Sequence, residues 1–218
     1  MSQSEPSGRV KVWDPVVRYG HWLLVAAFAI AYLSAEEESG GPDLLHVWGG
    51  YAVGAIVVLR VLWGFVGSRH ARFGDFVSGP FAALRYLADL LRGRARRYLG
   101  HSPAGGMMVL LLLASLAATV ATGLIAYGDL GKGPLAMRTD VTIVQTAAQA
   151  NETAGAPAER EHGREEEAES ALGELHDTLA NITLALIILH VLGVGLASVV
   201  HRENLVAAMI NGEKRARD

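Results

Sequence analysis

Residues 175–201 read LHDTLANITLALIILHVLGVGLASVVH, and this stretch decides the fold. Asp177 is its one carboxylate, and no basic residue stands between the histidines at its two ends. It is long and apolar enough to cross a bilayer, which takes about 20 apolar residues. His176 and His190 lie fourteen positions apart within it. At about 100° per residue they fall within about 40° of each other, and at about 1.5 Å per residue they stand roughly 21 Å apart along the helix. Ionisable side chains at membrane depth face the protein interior and mark functional sites. Each histidine alone is also satisfied by hydrogen bonding to a neighbouring helix. As a pair they point to two metal centres stacked across the membrane, which requires partners elsewhere in the chain.

The 218 residues around it are 51% hydrophobic with a mean hydropathy of +0.27. Apolar runs at about 16–35, 46–67, 104–127 and 176–200 are each of spanning length. The predicted architecture is therefore all-α, a single integral-membrane four-helix domain over residues 1–218. Arg18 and His21 lie within the first run and no small-residue cleavage site follows, so it is not a cleaved signal peptide. The chain has no cysteine, which excludes disulfides, thiolate-bound iron–sulfur clusters and covalently attached haem. A haem here is held by side chains alone. No nucleic-acid signature or phosphate loop is present.

Residues 1–11 are polar and read as disordered. Trp13 and Asp14-Pro15 open the first span, which carries His21; beside Trp22, that histidine also suits an interfacial position. The following loop holds Glu36, Glu37, Glu38 and Asp43. The second span begins Leu45-His46-Val47-Trp48-Gly49-Gly50-Tyr51 and runs on to Arg60, fourteen residues beyond His46. One face thus bears a histidine at one level and an arginine at the other. Gly49, Gly50 and Gly54 leave room beside His46 for a flat macrocycle or for another backbone. An unpaired Arg60 within an apolar run is costly, and a haem propionate is its natural partner.

Residues 67–103 are basic, with Phe81, Leu84, Leu87, Leu90 and Leu91 at helical spacing, which predicts a short amphipathic helix on the membrane surface. His70 and His101 read as solvated or headgroup-facing. The third span has no histidine and no charge. Residues 128–174 form a long polar segment with Glu165, Glu166, Glu167, Glu169 and Glu174; its histidine, His162, is read as incidental. The basic N-terminus, 67–103 segment and C-terminus place both termini in the cytoplasm by the positive-inside rule. Four histidines then sort into an outer pair, His46 with His176, and an inner pair, His21 with His190. Two axial imidazoles per iron hold an electron-transfer haem. Counted from the helix ends, His21 is about 8 Å deep and His190 about 15 Å deep, and His201, nearly on the His190 face, is the rival inner ligand.

The chain resembles the bacterial cytochrome b561 family, in the branch that includes b-type cytochrome subunits of nickel-iron hydrogenases. The resemblance rests on Val12-Trp13-Asp14-Pro15 with Arg18 and Gly20-His21-Trp22, on Leu45 to Tyr51, on Arg60 to Phe73, on Tyr98-Leu99-Gly100-His101-Ser102-Pro103, on Glu174-Leu175-His176 and on His201 to Val206. It implies two haem b groups with His21, His46, His176 and His190 as axial ligands, in the bacterial inner (plasma) membrane. It also implies electron transfer between the quinone pool and a redox partner protein, either a c-type cytochrome or a dehydrogenase or hydrogenase subunit. The alternative is a self-sufficient membrane quinone oxidoreductase acting on a small oxidant such as superoxide, and a third reading has the histidines relay protons or bind a free metal. A homodimer is compatible with all three. The acidic 128–174 segment is expected to steer a basic partner to the outer face.

Overall fold

The computed structural model describes residues 8–35, 43–136 and 159–216, with the side chains of 171–216 in the last range. Glu36, Glu37 and Glu38, and the side chains of His162, Glu165, Glu166, Glu167 and Glu169, lie outside the described residues. The elements are β1 (Arg9–Lys11), α1 (Pro15–Leu33), α2 (Leu44–Val66), a 3₁₀ turn (Arg69–Ala71), α3 (Phe73–Phe76), α4 (Pro80–Leu91), α5 (Pro103–Asp129), α6 (Glu159–Val200), α7 (Leu205–Asn211) and β2 (Glu213–Arg215). Among the described residues, four helical spans are long and apolar enough to cross a membrane: Pro15–Leu33, Leu44–Val66, Pro103–Asp129 and Ala171–Val200. Large apolar side chains such as Leu33, Phe65 and Val199 stand exposed on them, a surface that suits lipid and not water. The protein is an all-α membrane helical protein, as the apolar runs predict.

The predicted span boundaries hold to within about two residues at most ends. The exception is α6, whose backbone is helical from Glu159, well before the apolar run. Ala, Glu and Leu dominate residues 165–175, and these are strong helix formers even where nothing apolar is buried.

The chain forms two compact units: Met1–Ala114 with Leu184–Asp218, and Ser115–Thr183. In the first unit α1 packs on α2 so closely that a Cβ on Gly49 would lie 2.9 Å from the Ala31 Cβ. The Asp14 carboxylate ties these helices at one end. Its Oδ1 caps α1 by accepting the Val17 N–H at 3.0 Å. Its Oδ2 accepts the Trp63 indole N–H at 3.1 Å and the Ser68 hydroxyl. These donors hold the Asp14 carboxyl below its ordinary pKa although burial, the largest single influence, pushes it upward.

Residues 9–11 are a strand and not disordered: Arg9, Val10 and Lys11 pair antiparallel with Arg215, Lys214 and Glu213. The two-stranded sheet is held by the segment after α6. Arg202 takes a left-handed conformation (φ 49°) to turn the chain, Asn204 caps α7 through the Ala207 N–H, and Gly212 ends it at φ 86°. Glycine is favoured there by the positive φ, and a Cβ would lie 2.8 Å from the Trp13 carbonyl oxygen.

Glu203 is the buried centre of this region, 8% exposed. Arg97 donates to both its oxygens, at 2.8 and 3.2 Å, and the Arg215 N–H donates to it at 3.2 Å. Burial pushes the Glu203 carboxyl upward, but the Arg97 and Arg215 hydrogen bonds and the Arg97 and Lys214 charges outweigh that and hold it below its usual value of 4.5. A depressed carboxyl pKa contributes stability above the unfolded-state value, and that stability is lost as pH falls through the folded-state value. Glu203→Ala leaves the buried Arg97 without its carboxylate, at a cost of about 3 kcal/mol. The protection of the Val10 and Lys214 amides, their exchange relative to a free peptide at the same pH, is expected to fall strongly in this variant, and in the intact protein on acidification below pH 4.5. Unchanged protection of both amides would show that the sheet does not depend on Glu203.

Candidate functional site

The first unit brings His21 and His190 together. α1, fixed at its start by Asp14, carries His21 in its second turn, and α6 carries His190. Their ring centroids are 6.3 Å apart with the planes at 51°, and Trp22 meets the His21 ring edge-on at 5.1 Å. The unequal depths counted from sequence therefore do not separate the two rings. Two imidazoles bound to one metal, at about 2 Å per metal–nitrogen bond, stand with centroids roughly 6 Å apart. The pair is spaced for a metal between the rings. His201 is engaged elsewhere, its Nε2 sharing a hydrogen bond with the Tyr86 hydroxyl at 3.1 Å.

His46, in the same unit, directs Nδ1 at the Ala31 carbonyl at 2.8 Å. A carbonyl only accepts, so Nδ1 carries the hydrogen and Nε2 the lone pair. That is the tautomer a metal-binding imidazole takes when a backbone carbonyl orients it. Gly49 and Gly50 play different parts beside it. Gly49 is filled by the α1 backbone, whereas nothing lies within 4 Å of a Cβ built on Gly50. The space at Gly50, one turn from His46, fits a flat group, while Gly49 serves helix packing.

Within the second unit, His176 shows the same tautomer. Its Nδ1 faces the Thr119 carbonyl at 2.9 Å, with the Thr122 hydroxyl at 3.3 Å. A Cβ on Gly123 would stand 2.8 Å from the His176 ring, so a small residue is required there. Ser115 and Thr183 share a hydrogen bond at 2.6 Å, Thr119 joins at 3.2 Å, and Thr183 is fully buried. Sequence reasoning misses these hydroxyls because the apolar run 104–127 has no charge or histidine. Their signal is the spacing Ser115, Thr119, Thr122, a polar stripe at i, i+4 and i+7.

Arg60 and His101 add buried, unpartnered nitrogens to the first unit. Both terminal nitrogens of Arg60, and His101 Nδ1, are buried without a hydrogen-bond partner among the described residues. The Arg60 guanidinium lies 5.5 Å above the Phe73 ring. His101, read from sequence as solvated, instead packs against Phe76 at 4.3 Å and Trp13 at 4.7 Å. Burial, then the Arg60 and Lys214 cations, drive the His101 imidazole down to about 3, with His70 adding slightly and Asp75 opposing. It is neutral at pH 7, and the unmet Arg60 guanidinium whose charge it feels fits an acidic group. His70, as read, is partly exposed, with Nδ1 2.9 Å from Asp75.

Among the described residues no three His, Cys, Asp or Glu side chains gather as a metal site. A two-imidazole set suits iron that already has four equatorial donors, as in a porphyrin. The open space at Gly50 fits such a ring beside His46, and the orphaned Arg60 nitrogens fit a carboxylate of one at the other level. Comparison with curated proteins and with solved structures gives no match. The family description prokaryotic cytochrome b561 matches residues 12–212, nearly the whole chain. The chain thus belongs to the prokaryotic cytochrome b561 family, membrane b-type cytochromes that bind haem b and take part in electron transfer.

Proposed function

We propose that this chain is a dihaem cytochrome b that passes electrons between the quinone pool and a redox partner protein. The observation that carries the reading is the 6.3 Å separation of the His21 and His190 rings. Haem b at each histidine pair supplies a one-electron couple that changes oxidation state without bond making in the protein. His21 and His190 would hold the inner group. His46 and His176 hold the outer one, an assignment that rests on the sequence and on the tautomer of each ring taken separately. Arg60, whose terminal nitrogens are unpartnered among the described residues, would pair with a propionate and neutralise it in a medium that offers no water.

Both termini are assigned to the cytoplasm. The positive-inside pattern supports this, and the pairing of β1 with β2 is consistent with the two termini lying on one side. The quinone and the partner follow from the family resemblance. On the outer face the acidic residues Glu165, Glu166, Glu167 and Glu169 suit a basic partner such as a c-type cytochrome.

Two sets of variants test this. His46→Ala and His176→Ala are each expected to remove one haem and leave the other with an unchanged midpoint, followed by haem content and redox titration. His190→Ala is expected to empty the inner site, and His201→Ala to leave it intact. An inner haem lost in His201→Ala and retained in His190→Ala would overturn the inner assignment. Arg60→Leu removes a cation from the reduced, more negative inner site and is expected to lower its midpoint by about 60 mV, a tenfold change for one electron. An unmoved titration curve with full haem content would separate Arg60 from the propionate.

A further inference from the structure

The connection between α2 and α5 lies on one membrane surface, because those two helices are consecutive spans. Within it α4 is apolar on two faces. Ala83, Tyr86 and Leu90 are buried against the protein. Phe81, Leu84 and Leu91 are 85, 62 and 70% exposed, and with Leu87 they fall within roughly 120° at about 100° per residue. Arg85, Asp89 and Arg92 occupy the arc between the two. A water-facing helix does not present that second apolar face; a helix set in the interface of a bilayer does.

Beside α4 is a cavity of about 410 Å³ lined by Arg85, Tyr86, Asp89, Arg96, Tyr98 and Pro103 among others. Pro103 is the first residue of a membrane span, so the cavity sits where hydrocarbon ends and headgroups begin. Tyr86 forms a fixed wall, its hydroxyl held by His201 and its ring edge-on to Tyr98 at 5.8 Å. The guanidiniums of Arg85 and Arg96 and the hydroxyl of Tyr98 take no hydrogen bond or ion pair among the described residues. Two arginines against Asp89 leave one positive charge, the complement of one phosphodiester. Planar guanidinium forks bind phosphate oxygens in pairs.

We propose that this cavity is a binding site for the phosphate of an anionic phospholipid of the same leaflet. Arg85 and Arg96 clamp the phosphate, Tyr98 donates to it, and the exposed Phe81, Leu84 and Leu91 face lies among the acyl chains. A soluble phosphate would meet the same cations but would leave that apolar face unused. The site is independent of the haem assignment, since none of the axial histidines lines it.

The test is native mass spectrometry of the haem-loaded full chain, released from nanodiscs of phosphatidylcholine containing a minor fraction of phosphatidylglycerol. The intact protein is expected to retain one phosphatidylglycerol. R85Q/R96Q is expected to lose retention roughly 30-fold, and R92Q/R94Q, with the same net charge change outside the cavity, to keep it. Haem absorbance reports that each variant is folded; if the double variant fails to hold haem, R85Q and R96Q singly, each about fivefold weaker, decide the matter. Equal retention by R85Q/R96Q and the intact protein overturns the site, and equal loss in R92Q/R94Q reduces it to diffuse surface charge. If inorganic phosphate binds as tightly as the lipid, the ligand is free phosphate and the lipid assignment falls.

Discussion

Imidazoles at membrane depth have neither water nor lipid to bind, and the pairing of His21 with His190 is the constraint from which the rest of the first unit follows. A buried polar group without a partner costs several kcal/mol in hydrocarbon. Two rings facing each other 6.3 Å apart are too far for a direct hydrogen bond between most of their atoms and well placed for a shared metal. A haem iron with two open axial positions would meet that need. The surrounding structure fixes the approach of each ring: Asp14 sets where α1 begins, and the turn at Arg202 and the α7 cap at Asn204 anchor the chain beyond α6. Arg18 of α1 reaches the Ile210 carbonyl of α7, so the helix bearing His21 is tied to the segment that follows the helix bearing His190.

His46 and His176 are oriented by backbone carbonyls and not by charges. His46 and His176 each donate Nδ1–H to a carbonyl of an adjacent span, Ala31 and Thr119. A carbonyl fixes the tautomer without adding a charge that the bilayer would penalise. Arg60 is the exception: a full cation in an apolar span, stacked on Phe73 and otherwise unmet. That imbalance is what a bound carboxylate would remove. At the membrane surface the same logic reverses, and Arg97 and Glu203 neutralise each other beneath the β1–β2 sheet.

The sequence reveals whatever has a local period. Apolar runs of spanning length locate the four helices, and the fourteen-residue spacing within the second and fourth spans singles out His46, Arg60, His176 and His190. Contacts between distant segments leave no such trace. Three residues near each end of the chain do not announce a sheet, yet Arg9–Lys11 and Glu213–Arg215 form one. His101 stands among arginines in a basic loop and reads as solvated; only folding brings Trp13 and Phe76 against it. The early start of α6 escapes notice because an Ala/Glu-rich segment has helix propensity without a hydrophobic stripe. Gly49 and Gly50 carry equal claims to packing and to cofactor space until the position of Ala31 separates them.

If each histidine pair holds one iron, the haem content and the ligation of each haem follow together. Pyridine haemochrome analysis of the purified chain, with electron paramagnetic resonance of its oxidised form, measures both directly. The expected result is two haem b per polypeptide, both low-spin with two axial imidazoles. One haem per polypeptide, or a high-spin signal from an iron with a single imidazole, would contradict the pairing.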